Sequence, residues 1–260
     1  MRVGFMTVKG LTERTLRRLL RARAERPFQS LADFCARVRP GQAEAEALIL
    51  VGAFDRFACR EPHGRTRRRR PQLLWELELL CRQRPSARGG DPTGPLWEEE
   101  AAGTVGASVP ELPEFSLCRR IEFEQQHLEM TPSAHPLVCY REALAGERVT
   151  SAAEVPAHVG KQVRVAGLLV ASRRARTKEN LFMEFVTLED ETGMVEVTLF
   201  PVTYQKYGHL VTSRGPFLIE GRVEDQFGAL TISVERLQRV ERPPLPSGRP
   251  GQLSRQAELD

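Results

Sequence analysis

Several features that would assign a class at once are missing from this sequence. None of its 260 residues belongs to an apolar run near the roughly 18–20 that a membrane span needs, and the N-terminus lacks the basic-then-apolar pattern of a secretory signal. A soluble, cytoplasmic protein without membrane contact is the expectation. Cysteine is scarce and odd in number: Cys35, Cys59, Cys81, Cys118 and Cys139 contain no Cys-x-x-Cys pair. They indicate neither a disulfide framework nor a standard zinc site, and read as buried or free thiols. Cys59 with His63, and His135 with Cys139, have ligand-like spacing, but one site would have to join two regions of different composition. There is no Gly-x-x-x-x-Gly-Lys-Ser/Thr loop and no histidine-rich nuclease motif. The chain is longer than one compact core usually needs, so two domains are expected.

What is present is charge, unevenly distributed. The net +4 divides into +11 over residues 1–88 (20 Lys+Arg, 9 Asp+Glu), −8 over 89–160 (4 and 12) and +1 over 161–260 (14 and 13). A +11 block suits a polyanion such as nucleic acid, whose affinity comes largely from phosphate neutralisation and counterion release. The alternative is the arginine bias of a GC-rich genome, since arginine outnumbers lysine 34 to 4.

Periodicity orders these blocks. Residues 1–83 read as helices with short turns: Thr12 as N-cap, Glu13 in the first turn, and Leu16, Leu19, Leu20 and Ala24 at helical spacing between Arg14, Arg17, Arg18 and Arg21. Ser30 can cap a short helix to Val38 that buries Leu31 and Phe34, and Pro40-Gly41 ends it. Another helix runs to Val51, and a last one surrounds Leu73, Leu77 and Leu80. Residues 84–115 form a Gly/Pro-rich acidic linker, 116–144 a connecting helix and loop, and 241–260 a disordered tail. Between them, over 145–240, the period changes from 3.6 to 2. Five strand candidates, near 163–172, 181–189, 194–200, 217–224 and 230–237, enclose one helical stretch at 203–210. That order matches the OB-fold, a five-stranded barrel that binds single-stranded nucleic acid on its second and third strands and its 1–2 and 4–5 loops. The fold class expected is α+β multidomain: an all-α tandem helix-hairpin-helix module, a linker, and an OB-fold barrel.

Two apolar-Gly-apolar hairpins carry the first chemistry. Lys9-Gly10-Leu11 precedes the basic helix, and Leu50-Val51-Gly52-Ala53-Phe54-Asp55 stands between two further helices. Glycine lets the backbone turn sharply and approach a phosphate, while the free amides of the next helix start point at the anion. Such contacts hold DNA without reading it. The plainer reading is a glycine cap between packed helices.

At this point the sequence resembles a family, the C-terminal part of bacterial DNA polymerase III alpha subunits. The resemblance is carried by Gly4-Phe5-Met6-Thr7-Val8-Lys9-Gly10, by Pro27-Phe28-x-Ser30-Leu31-x-Asp33-Phe34-Cys35-x-Arg37-Val38, and by Glu46-Ala47-Leu48-Ile49-x-x-Gly52-Ala53-Phe54-Asp55. His135-Pro136 and Leu188-Glu189-Asp190-Glu191-Thr192-Gly193 continue it, and Arg69-Arg70-Pro71-Gln72-Leu73-Leu74-Trp75 resembles the error-prone paralogue. It covers most of residues 1–240. Two departures stand out: Thr12 occupies the usual place of a second hairpin glycine, and the Asp-x-Asp motif of the catalytic palm occurs nowhere. The resemblance therefore implies a DNA-binding region without its own catalytic centre or cofactor, the Mg²⁺ belonging to the catalytic part of such a polymerase. Glu189, Asp190 and Glu191 are consecutive at a strand end, so their side chains diverge and they read as turn residues.

The expected duplex contacts are Lys9, Gly10, Leu11, Arg14, Arg17, Gly52 and Ala53. On the barrel, Val186 and Leu188 fit the core, which turns Phe185 outward as a base-stacking candidate, and Arg173, Arg174, Arg176 and Lys178 cluster in the first loop. Gly94-Pro95-Leu96-Trp97 resembles in degenerate form the family's clamp-binding peptide, so Leu96 and Trp97 are candidates for the sliding clamp, with other polymerase subunits as further partners. The rival reading is an interaction scaffold that docks replication or repair proteins through linker and barrel with little DNA contact.

Overall fold

A computed structural model describes residues 4–56, 58–61, 64–67, 69–82, 109–226 and 228–242. Leu96 and Trp97 lie outside these residues, as do most of the linker and of the tail. The chain forms two compact units, 1–134 and 135–260. Among the described residues no helix is long and apolar enough to cross a membrane. Cys35 and Cys81 are free thiols. Cys118 and Cys139 are disulfide-bonded, so the reading of all five cysteines as thiols fails for these two.

The first unit contains a 3-10 turn at Phe5–Thr7 and helices α1 (Glu13–Glu25), α2 (Leu31–Val38), α3 (Gln42–Leu50), α4 (Arg70–Arg82) and α5 (Leu117–Leu128). Both expected caps form: the Thr12 hydroxyl accepts from the Thr15 amide and the Ser30 hydroxyl from the Asp33 amide. Leu31, Phe34, Leu48, Ile49, Leu73 and Leu77 fill one core. Phe34 packs edge-on against Phe28 and Phe54 at ring distances of 5.3 and 4.9 Å, so the residues that carry the family resemblance are largely core. Helix α5, expected as a connector, belongs to this core through Leu128. One element departs from the all-helical expectation: a two-stranded ribbon, β1 (Ala58–Glu61) and β2 (Gly64–Arg67), stands between α3 and α4.

Helix α1 presents a different face from the one its leucine spacing suggests. Thr15, Leu19 and Ala22 are buried, whereas Leu20 is 43% exposed and Ala24 is exposed. The cause is Glu44, whose carboxylate accepts from the Thr12 amide (2.8 Å), the Thr15 hydroxyl (2.8 Å) and the Gly41 amide (2.7 Å), drawing Thr15 inward. Burial alone would raise the Glu44 carboxyl. The hydrogen bonds from Thr12, Gly41 and Thr15 outweigh it and hold the group below its ordinary value.

Arg70, the last of a basic run, is not a surface cation. Its side chain is 4% exposed; Nε and Nη2 donate to the two Asp55 carboxylate oxygens at 3.0 and 2.7 Å, and Nη1 donates to the Leu50 carbonyl at 2.8 Å. This bidentate clamp ties the turn after α3 to the first residue of α4.

The second unit begins with short turns, at Pro136–Tyr140, α6 (Arg141–Leu144) and Ala152–His158, and then forms a barrel. Its strands are β3 (Gln162–Arg176), β4 (Phe182–Glu189), β5 (Met194–Leu199), β6 (Phe217–Gln226) and β7 (Ala229–Arg239), with α7 (Pro201–Tyr207) after β5. The order β3-β4-β5-β7-β6 closes on itself, antiparallel throughout except for the parallel β5–β7 pair, which is the OB-fold arrangement. Val186, Leu188, Val197, Leu199, Ile232 and Val234 line the interior, in agreement with the alternation read from the sequence. β3 pairs first with β6 and then with β4, and one extra residue, Val170, interrupts its register between Leu169 and Ala171.

Two outcomes are expected from these contacts. Because the folded Glu44 carboxyl lies below its ordinary value, its contribution is complete above the unfolded carboxylate range and is lost as pH falls through the folded value. Glu44→Ala should therefore lower the melting temperature at neutral pH, and the gap from wild type should narrow in acid, as paired thermal melts at the two pH values would register. Arg70→Met should cost about 3 kcal/mol in denaturant titrations, the low end for a broken buried pair, because Asp55 is 40% exposed and can rehydrate.

Candidate nucleic-acid interface

At the first hairpin, Gly10 has φ +82° and open space where a Cβ would stand, so the backbone is accessible there. The Lys9 amide donates to the His127 carbonyl at 2.8 Å, and Leu11 packs on the core, which seats the hairpin. The Thr12 amide is committed to Glu44. Those of Gly10, Glu13 and Arg14 make no hydrogen bond among the described residues. Lys9 pairs with Glu129 at 2.6 Å and Arg17 with Glu13 at 2.6 Å, all four side chains more than half exposed. Exposed pairs are worth at most about 1 kcal/mol and exchange readily for another anion. Arg14 is exposed on the same first turn.

The second hairpin differs from its sequence reading. Gly52 also has positive φ, +80°, but a Cβ there would collide with the Arg70 guanidinium and Asp55. The Gly52 and Ala53 amides donate to the Ile49 and Leu48 carbonyls at 2.9 Å each. No helix starts after them, because the β1–β2 ribbon follows. The expectation of two open amides at a helix N-terminus is thus corrected: Gly52 is required by packing, and both amides are internal.

On the barrel the basic cluster is split. Arg173, Arg174 and Arg176 lie on β3 itself, and Lys178 alone is in the connecting turn. Arg173 stands directly opposite Phe185, which is 41% exposed. With Ala171, Ser172, Thr187 and Glu196 these two line a shallow depression of about 310 Å³ on the outer face of β3, β4 and β5. Arg174 and Arg176 belong to the other face: both lie over the Phe182 ring, at 5.9 and 4.6 Å, and Arg174 also lies 5.6 Å from the Tyr204 ring. Phe182 and Tyr204 escaped the sequence reading. Phe182 has core parity with Val186 and Leu188, yet is 42% exposed.

The acidic residues after β4 serve the turn, as expected. Asp190 accepts from the Thr192 amide (2.6 Å), the Gly193 amide (3.0 Å) and the Ala152 amide (2.7 Å), while Glu191 takes both its contacts from Arg141. Burial would raise the Asp190 carboxyl, but these hydrogen bonds hold it below its ordinary value. Neighbouring carboxylates with different partners do not converge on a common point.

Comparison with known proteins agrees with this geometry. A helix-hairpin-helix motif matches residues 1–68. An error-prone DNA polymerase of Symbiobacterium thermophilum is 33% identical over 253 residues, which cover 92% of this chain and 23% of that protein. The DNA polymerase III subunit alpha of Pasteurella multocida is 32% identical over 252 residues, covering 92% and 21%. A domain of replication protein A from Methanococcus maripaludis aligns with a TM-score of 0.28 at 19% identity, over 32% of this chain and 88% of the domain; the OB-fold assignment rests on the barrel's own strand order. The chain spans about a fifth of the length of the polymerases it matches. It belongs to the family of bacterial DNA polymerase III alpha subunits and error-prone polymerases, and corresponds to their C-terminal helix-hairpin-helix and OB-fold region.

Proposed function

We propose that this chain holds DNA for a C-family polymerase, laying a single strand across the outer face of β3, β4 and β5 and gripping duplex backbone with the helical unit. The observation that carries the reading is the exposed Phe185 ring beside Arg173 on an OB-fold barrel face. A flat aromatic surface can stack any base, and an adjacent guanidinium can meet the phosphate, so the site tolerates all sequences. Duplex contact is made at the first hairpin by the amides of Gly10, Glu13 and Arg14, with Lys9, Arg14 and Arg17 supplying charge and Leu11 anchoring the turn. The region needs no metal for this. Polymerisation and its Mg²⁺ lie in other parts of such an enzyme.

Phe185→Ala should weaken single-strand binding by about 1–3 kcal/mol if the ring stacks a base. Fluorescence anisotropy with a labelled oligonucleotide, over a range of salt, checks this. Equal affinity for wild type, Phe185→Ala and Arg173→Gln would move the single-strand site elsewhere, and a titration insensitive to salt would favour the scaffold reading. Leu96 and Trp97 carry a separate proposal of sliding-clamp contact: two large apolar side chains on a polar extended chain can fill a pocket. The double alanine variant should lose clamp binding while keeping its DNA affinity, and surface plasmon resonance on immobilised clamp distinguishes the two.

A further inference from the structure

The hairpins hold only part of the helical unit's positive charge. Residues 56–70 carry seven arginines against one carboxylate, Glu61, which is +6 of the +11 found over residues 1–88. Arg70 is consumed by Asp55 and the Leu50 carbonyl, and Arg69 donates to the Leu112 carbonyl at 3.1 Å. Most of the remainder falls on the ribbon.

The ribbon's register sorts those arginines. Ala58 stands opposite Arg67, Cys59 opposite Thr66, Arg60 opposite Arg65 and Glu61 opposite Gly64. Residues directly opposite, and residues two apart on one strand, share a face. Arg60, Arg65 and Arg67 therefore occupy one face, and Glu61 the other. Like charges opposite one another destabilise a strand pair, and an isolated two-stranded ribbon is marginal in water to begin with. Three arginines gathered on one face are matched to a polyanion laid against them. Arg70 and Asp55, joined 15 residues apart, close the base from which the ribbon leaves.

We infer that the β1–β2 ribbon is a second duplex-binding arm, whose Arg60, Arg65 and Arg67 face takes backbone phosphates of double-stranded DNA. The inference rests on the duplex-holding reading above and gives most of that task to a different element. A two-stranded ribbon fits the major groove of B-form DNA, and arginine matches phosphate geometry in a bidentate way. The contacts carry no base specificity.

The test uses the full chain and a random-sequence duplex. Arg60→Gln, Arg65→Gln and Arg67→Gln combined should weaken binding about tenfold or more at low salt. The slope of log affinity against log salt should become shallower by about 2.7, at 0.9 per phosphate contact. The corresponding triple lysine variant should keep the slope, which separates charge from folding, and circular dichroism should show equal melting for all three proteins. A folded glutamine variant with wild-type affinity and slope would overturn the proposal. So would polyglutamate competing as strongly as duplex at equal charge, since an acidic protein surface would then be the occupant. If the wild type shows no salt-dependent duplex binding, the duplex reading itself falls. If Lys9→Gln, Arg14→Gln and Arg17→Gln combined flatten the slope while the ribbon variant does not, the ribbon alone is excluded.

Discussion

The helical unit is organised around one guanidinium. Arg70 spends three of its nitrogens on Asp55 and the Leu50 carbonyl, and each contact constrains something nearby. Its head fills the space beside Gly52, so that position admits no side chain. The Leu50 carbonyl, one of the acceptors left over at the end of α3, is satisfied by it. Because residues 55 and 70 are joined, the chain between them leaves and returns at one place. A buried ion pair of this kind is expensive to break and poor as a general stabiliser, and its value lies in fixing one geometry.

Glu44 performs a related task at the other hairpin, receiving amides from two helix starts and a hydroxyl from α1. The same contacts that set the orientation of α1 also remove the Thr12 amide from the surface. The two hairpins therefore end in different states despite similar sequences: open amides remain at the first, while at the second they are turned inward and the next helix is displaced by a ribbon. Only the first retains the helix start that makes a backbone anion site.

In the barrel a single residue decides the function of several others. Val163, Val165 and Leu169 keep inward parity along β3, and uninterrupted alternation would place Arg173 inward and Arg174 outward. The extra residue at Val170 reverses this and sets Arg173 beside Phe185. Arg174 and Arg176 are thereby sent to Phe182 and Tyr204, beyond the end of the packed interior.

The sequence by itself determined the elements and their order: caps at Thr12 and Ser30, strands from their alternation, the change of period after residue 160, and the core identities of Phe34, Val197 and Ile232. These are legible because they depend on neighbours within a few positions. Outward placement of Phe185 was legible for the same reason. Tertiary structure alone decided which arginines face a ligand. Arg70 is indistinguishable from Arg69 in a basic run until Asp55 is brought beside it. The parity of Arg173 depends on a bulge defined by its partner strand, and the free or occupied state of a hairpin amide depends on a carboxylate 32 residues away. Each is a pairing across long sequence separation, and a local pattern holds no record of the partner.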